Sequence, residues 1–361
     1  MKEEIVISQG SLSVSGVIIG VDTHKDEHVA VAIDRLGARI GQRNLPTTGA
    51  GYISLERWAN SLGEIEAFGI EGTGSYGAGL SRFLRDKGHR IIEINRPDRS
   101  TRRRIGKNDP TDAEMAARAV LSGVAREEPK SGVDTVEMIR MIKSAKDSAM
   151  KARTQSINQM KALVVTAPVE LRSALRDLTT SQLVAHCARW RPGRLLTATS
   201  AAKYTLWSLA RRHIYITREI EALNIHLARL TTAVAPRLTQ SFGVGPDSAA
   251  ALLVTAGSNP ERLKSESAFA ALCGVNPIPA SSGKTNRHRL NRGGDRQANA
   301  AIYRIVIVRL RHDERTRVYF KRRTEEGKTK METIRCLKRY VAREVFALLS
   351  DLTKPNIVPC H

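Results

Sequence analysis

Aromatic side chains are scarce, at 4% of 361 residues, which argues against base-stacking platforms of the RNA-recognition-motif kind. Cysteine is scarce as well. Cys187, Cys273, Cys336 and Cys360 are scattered, with no C-x-x-C pair and no matching histidine spacing, so neither a disulfide framework nor a zinc site is suggested. No apolar run of about 18 residues and no signal-peptide pattern is present, which points away from secretion and membrane spanning and towards the cytoplasm. Acidic charge is the third shortage. Asp plus Glu number 36 against 58 Lys plus Arg, leaving a formal charge of +22. A surplus of that size concentrates polyanions and favours a nucleic-acid partner, so a nucleoid-associated location is expected. Charge alone does not separate an enzyme from a passive ribosomal or chromatin factor.

What is present divides into three regions between two tails, residues 1–15 and 353–361; the length allows two or three domains, each with a core. Residues 16–128 alternate between strand-like and helix-like segments. Strands are expected at Val17–Val21, His28–Ile33, Arg39–Leu45, Ala67–Ile70 and Arg90–Ile94, and amphipathic helices at Gly51–Leu62, Gly77–Lys87 and Asp109–Leu121. The order β-β-β-α-β-α-β-α predicts an α/β domain with a mixed sheet, the order of the ribonuclease-H-like fold. Residues 129–236 read as helical. Leu206, Leu209, His213, Ile216, Ile220, Leu223, Leu227, Leu230 and Val234 recur at alternating gaps of three and four, a heptad seam that predicts a coiled coil or long helical hairpin. Its partner is expected in the helix Thr135–Val165, in the same chain or across a dimer. Residues 237–352 read as a smaller, mainly helical domain. In it F-G-V-G-P (242–246) resembles the turn of a helix-hairpin-helix element, where Gly243 and Gly245 would let backbone amides meet a phosphate. A tight helix connection with a proline at the next helix start would look similar.

Four carboxylates stand out. Asp22 ends the first strand in G-V-D-T-H-K, and Glu71 ends the fourth in G-I-E-G-T-G. Acidic groups at the carboxyl ends of neighbouring strands project from the edge where sites in open α/β sheets collect. Asp109 and Asp112 open a helix in K-N-D-P-T-D-A, and their i, i+3 spacing puts both on nearly one face. Four converging carboxylates repel unless hard cations sit between them, and Mg²⁺ needs few protein oxygens. Singly, Asp109 reads equally well as an N-cap before Pro110, and Asp22 as a turn residue. The same strands also suggest a sugar-kinase or actin-like ATPase, but that fold needs a duplicated half where this chain turns helical.

Near the C-terminal end, P-A-S-S-G-K (279–284) leads into Arg287, His288, Arg289 and Arg292. A serine in such a basic loop is placed to attack a phosphodiester, with Lys284 and the arginines offsetting developing charge. Without chemistry, the same cations make a phosphate-contacting patch. A second basic run, Arg96, Arg99, Arg102, Arg103, Arg104 and Lys107, precedes Asp109 and suits a grip on a nucleic-acid backbone.

Together these motifs resemble the insertion-sequence-one-ten family of transposases, the bridge-RNA-guided or seeker recombinases, over nearly the whole chain. G-x-D-x-H-K, I-E-G-T-G and K-x-D-P-x-D-A correspond to that family's RuvC-like Asp-Glu-Asp-Asp domain. F-G-V-G-P, L-C-G-V-N-P, S-S-G-K and R-L-N-R-G-G-D-R-Q correspond to its C-terminal transposase domain. The resemblance implies that Asp22, Glu71, Asp109 and Asp112 hold Mg²⁺, with Mn²⁺ as an alternative. It further implies a serine nucleophile that directly precedes glycine, which selects Ser282 over its neighbour Ser281 and gives a phosphoserine-DNA intermediate. Implied partners are double-stranded DNA at element ends and target, a structured non-coding bridge RNA, and further copies of the chain in a dimer or tetramer. Two other functions fit less of the sequence: a junction-resolving nuclease that uses water and the carboxylates without Ser282, and a non-catalytic nucleic-acid scaffold.

Overall fold

The unbroken apolar run V-I-I-G-V makes the first strand apolar on both faces, and the computed structural model places it in the middle of a sheet. The model describes residues 14–94, 108–130, 134–191, 193–257, 263–280 and 288–350. They fall into two compact units, Met1–Val133 and Asp134–His361.

In the first unit β1 (Val14–Thr23), β2 (Glu27–Ile33), β3 (Arg39–Pro46), β4 (Gly63–Glu71) and β5 (Ile91–Ile94) form one mixed sheet in the order β3-β2-β1-β4-β5. β2 is antiparallel to β1 and β3, whereas β4 runs parallel to β1 and β5. Val17, Ile19 and Val21 face one core with α1 (Gly49–Leu62) and α2 (Ala78–Asp86), shared with Leu55, Leu80 and Leu84. Ile18, Val29, Val31 and Ile33 face the other way, against Ala113 and Ala117 of α3 (Asp109–Leu121). The alanine stripe of α3 lets its backbone lie close to the sheet, and two strand glycines complete the fit. Gly20 and Gly69 are register partners on β1 and β4. A Cβ on Gly20 would run into the Ala113 carbonyl and the Ala117 amide; one on Gly69 would sit 3.0 Å from the Ala116 carbonyl oxygen. Every expected strand and helix of this region is found, with bounds shifted by a few residues.

The second unit is mostly helical. Its long helices α4 (Thr135–Thr166) and α7 (Ala198–Val234) start on side-chain caps, from Asp134 and from a Thr197–Ser200 capping box. The heptad residues of α7 face α4 of the same chain. Leu206 and Leu209 share a core with Met160 and Val164, Ile216 and Ile220 with Ala149, and Leu227 and Leu230 with Ile139, an antiparallel pairing along the whole length. At one end α5 (Val169–Leu175) and α6 (Thr180–Ala188) cover the pair through Leu171, Leu175 and Leu183. At the other, Ile139, Leu227 and Leu230 join the core of α8 (Pro236–Gln240), α9 (Pro246–Ala256), α10 (Glu266–Leu272), α11 (Arg296–His312), α12 (Glu314–Glu325) and α13 (Lys330–Ser350).

A buried charge cluster reinforces that end. Lys143 and Lys146 of α4 are 6% and 7% exposed and reach Asp247, in the first turn of α9, at 3.3 and 2.7 Å. Asp147 takes Lys143 at 3.0 Å, and Arg304 of α11 closes on Asp247 at 2.8 Å. This unit also contains a short hairpin that no periodicity in the sequence marks. β6 (Pro277–Pro279) pairs antiparallel with β7 (His288–Leu290), Ile278 opposite Arg289. Among the described residues, no helix is long and apolar enough to cross a membrane.

Candidate active site

The parallel strands β1, β4 and β5 end at one edge of the sheet, and α3 begins there. Asp22 lies one residue before the end of β1 and is 6% exposed; Glu71 is the last residue of β4. Thr23 Oγ1 donates to the Glu71 carbonyl at 2.8 Å and ties the two strand ends together. Asn108 starts α3: its carbonyl accepts from the Thr111 and Asp112 amides at 2.9 and 3.0 Å, and Asp109 and Asp112 occupy the first turn. Asp112 is buried (5% exposed), and the Asp109 side chain is 47% exposed.

Among the described residues, the tightest group of possible metal donors here is Asp22, His24 and Asp109, with donor atoms within 4.8 Å of one another. His24 Nε2 is 3.2 Å from Asp22 Oδ2 and 3.5 Å from Asp109 Oδ2. Burial pushes the Asp22 carboxyl above its ordinary value; His24 pulls it down, while the neighbouring Asp112 and Asp109 charges push it up. Asp112 therefore acts electrostatically on Asp22, whereas Glu71 follows Ile70, the register partner of Val21, and is not one of the three grouped donors. Beside the group opens a cavity of about 490 Å³, lined in part by His24, Lys25, Tyr76 and Asp109.

His24 is a site residue that carboxylate counting overlooks. The signal available in the sequence is the D-x-H spacing, since residues two apart on an extended chain project to one side. The turn that carries His24 is fixed by its own amide, which donates to His28 Nδ1 at 3.3 Å. His28 is fully buried and stacks on Tyr52, with ring centroids 6.1 Å apart. Burial holds the His28 imidazole below its usual pKa, the neutral state its accepting Nδ1 requires.

In the second unit the predicted serine loop joins β6 to β7. Ser281, Ser282, Lys284 and Arg287 lie outside the described residues, as do Arg102, Arg103, Arg104 and Lys107 of the other basic run. Arg289 on β7 and Arg292 just beyond it are exposed. The base of the hairpin is closely built. Asn291 Nδ2 donates to the Ala271 carbonyl at 3.0 Å and to Asn276 Oδ1 at 2.7 Å, and Asn299 Nδ2 donates to the Gly274 carbonyl at 2.9 Å. Gly294 packs backbone to backbone on Gly274, so any Cβ there would overlap the Gly274 amide. The F-G-V-G-P turn links α8 to α9 as expected. Gly243 has φ +82°, and the Phe242 carbonyl accepts from Arg309 Nε at 2.8 Å.

Two family models match the sequence, one described as "Transposase" over residues 19–167 and one as "Transposase IS116/IS110/IS902 family" over residues 235–321. The chain belongs to the IS110 family of transposases. It is 31% identical over 149 residues to the "Insertion element IS110 uncharacterized 43.6 kDa protein" of Streptomyces coelicolor, across 40% of this chain and 36% of that protein. It is 23% identical over 384 aligned positions to the "Insertion element IS900 uncharacterized 42 kDa protein" of Mycobacterium paratuberculosis, across 92% of this chain and 95% of that one. The first family match covers the whole carboxylate edge and the N-terminal helix of the long pair, and the second covers the F-G-V-G-P turn and the serine hairpin.

Proposed function

We propose that this protein excises and integrates its own insertion sequence by DNA strand exchange, using a metal-binding carboxylate site and the serine Ser282. The observation that carries the reading is the meeting of Asp22, His24, Asp109 and the charge of Asp112 at one sheet edge, in a chain of a transposase family. The residues present suit a divalent cation. Asp22 is desolvated beside like charges, and the buried His24 Nε2 stands between it and Asp109, so a cation held there relieves the repulsion and takes up the nitrogen. Asp22, Glu71, Asp109 and Asp112 are the proposed holders of Mg²⁺ or Mn²⁺. A cation held there supplies electrophilic stabilisation of charge building on a phosphate.

In the proposed exchange a bond forms between Ser282 Oγ and phosphorus as the bond from phosphorus to the leaving deoxyribose oxygen breaks, and that oxygen takes up a proton. A hydroxyl from the partner strand later attacks the phosphoserine and releases the serine, so no ligase is needed. Lys284, Arg287, Arg289 and Arg292 offset charge along that path. Arg102, Arg103, Arg104 and Lys107 grip the backbone near Asp109, and Gly243 and Gly245 present amides to a phosphate. The sheet order β3-β2-β1-β4-β5, with its antiparallel arm and parallel half, supports a ribonuclease-H-like assignment for residues 16–128. Residues 129–236 are assigned as the coiled-coil region and 237–352 as the transposase domain. The reading extends to a bridge RNA that selects donor and target, a dimer or tetramer as the working unit, and action at the nucleoid. The +22 charge supports a protein that wraps nucleic acid.

The test is a covalent-adduct assay in cells that carry the element's flanking DNA. Protein recovered under denaturing conditions should carry DNA in the wild type and in Ser281→Ala, and lose it in Ser282→Ala and Asp22→Ala. Cleavage that depends on Asp22 without any adduct would establish the hydrolytic nuclease instead.

A further inference from the structure

The sheet-edge site holds one donor that a carboxylate set does not need. His24 Nε2 is a buried nitrogen set between two carboxylates, 3.2 Å from Asp22 Oδ2 and 3.5 Å from Asp109 Oδ2. Two carboxylate oxygens and an imidazole nitrogen, all within 4.8 Å of one another, make a three-point donor set. The donor is also held in place. The His24 amide is anchored on the buried His28 ring, which is stacked on Tyr52, and so the turn that carries His24 is fixed from behind.

A nitrogen donor changes which cation a site prefers. Mg²⁺ takes oxygen ligands almost exclusively and keeps much of its water, whereas first-row transition ions accept imidazole beside carboxylate. We propose that His24 is a nitrogen ligand of this site and gives it a preference for first-row transition dications over Mg²⁺. The inference rests on the metal-site reading above and specifies the ion class that the site selects. It also gives the histidine of G-x-D-x-H-K a chemical role that the four acids leave open.

Mn²⁺ is the probe, measured on metal-stripped full-length protein. Free Mn²⁺ is followed by its magnetic-resonance signal, and Mg²⁺ by competition against it, for the wild type, His24→Ala and Asp22→Asn. His24→Ala should weaken Mn²⁺ binding roughly 10- to 100-fold and leave Mg²⁺ within about threefold, which collapses the preference. Pulsed paramagnetic resonance of bound Mn²⁺ should show coupling to a directly ligated ¹⁴N in the wild type and none in His24→Ala. Manganese bound in an Asp22-dependent way but without nitrogen coupling, or equal losses for both ions, would overturn the role of His24 and leave the carboxylate site standing. A wild type that binds neither ion, with no change in Asp22→Asn, would remove the metal site itself.

Discussion

Asp22 is costly to the fold when no cation is bound, so Asp22→Asn should stabilise the metal-free protein and destabilise it relative to wild type once metal is added. The magnitude follows from the geometry. Two unit negative charges within 4.8 Å of each other repel by at least about 3 kcal/mol at an effective dielectric near 20. The Asp109 side chain is 47% exposed, which screens its share, and His24 offsets part of the rest. Removal of the Asp22 charge should therefore add about 1–2 kcal/mol in chelator, or roughly 3–8 °C in the melting of a unit this size. The pH dependence has a definite sign. The Asp22 carboxyl is raised in the folded state, so its penalty is absent well below the ordinary aspartate range and grows as pH rises through that range to the elevated folded value. The Asn variant should lack that decline. A cation at about 100 times its Kd should then stabilise wild type by about 2.7 kcal/mol and leave Asp22→Asn nearly unchanged, so the rank order of the two proteins inverts. Calorimetry with and without chelator measures this, and amide exchange in β1 and α3 locates it. If Asp22→Asn is the less stable protein in chelator, the reasoning about an electrostatically strained, metal-ready site is refuted.

Neighbouring glycines give a sharp structural comparison: Gly294→Ala should cost more than about 2 kcal/mol in the second unit, because its Cβ meets Gly274 backbone, while Gly293→Ala, with only Asn291 Oδ1 at 3.4 Å, should stay within about 1 kcal/mol in thermal melts. Asp247→Asn should lower stability by about 3 kcal/mol by denaturant unfolding, since Lys146 loses its carboxylate and Lys143 keeps only Asp147. Burial pushes the Asp247 carboxyl up, but the Lys146 hydrogen bond and the Lys143, Lys146 and Arg304 charges outweigh it and hold the group low; its contribution should persist down to acid pH and vanish as pH falls through that lowered value. Arg289→Ala and Arg292→Ala should each weaken binding to any DNA sequence and reduce the log–log salt slope by roughly one, read by titration across ionic strengths; an unchanged slope would take these residues off the DNA path.

The first unit was legible because each of its elements carries a local pattern: V-I-I-G-V is a short unbroken apolar run of a strand buried on both faces, and the alanines of α3 recur on one helical face. Asp22 and Glu71 could be placed at strand ends because G-V-D-T and I-E-G-T break the apolar runs. His24 was not legible as a donor, since its approach to Asp109 depends on an 85-residue return of the chain that no local pattern encodes. The β6–β7 hairpin was missed for a related reason. Three-residue strands, one with two prolines, have almost no periodicity, and their pairing is held by Asn291, Asn299 and the Gly274–Gly294 contact. The heptad seam gave away the long helix, but not which helix it faced nor the Lys143–Lys146–Asp247 cluster that ends the pair.

The antiparallel pair α4–α7 joins two separate cores, one around Met160 and Leu206 and one around Ile139 and Leu227. Residues 139 and 160 are 21 positions apart on one helix, about 30 Å at 1.5 Å per residue. The pair thus acts as a spacer of calibrated length. Seven residues added to both helices would push the distal core out by about 10 Å with its facing preserved, whereas four added to each would turn it towards a different side. Members of such a lineage can then change their reach in whole heptads while both end cores stay intact, and length differences between relatives should fall at multiples of seven in this stretch.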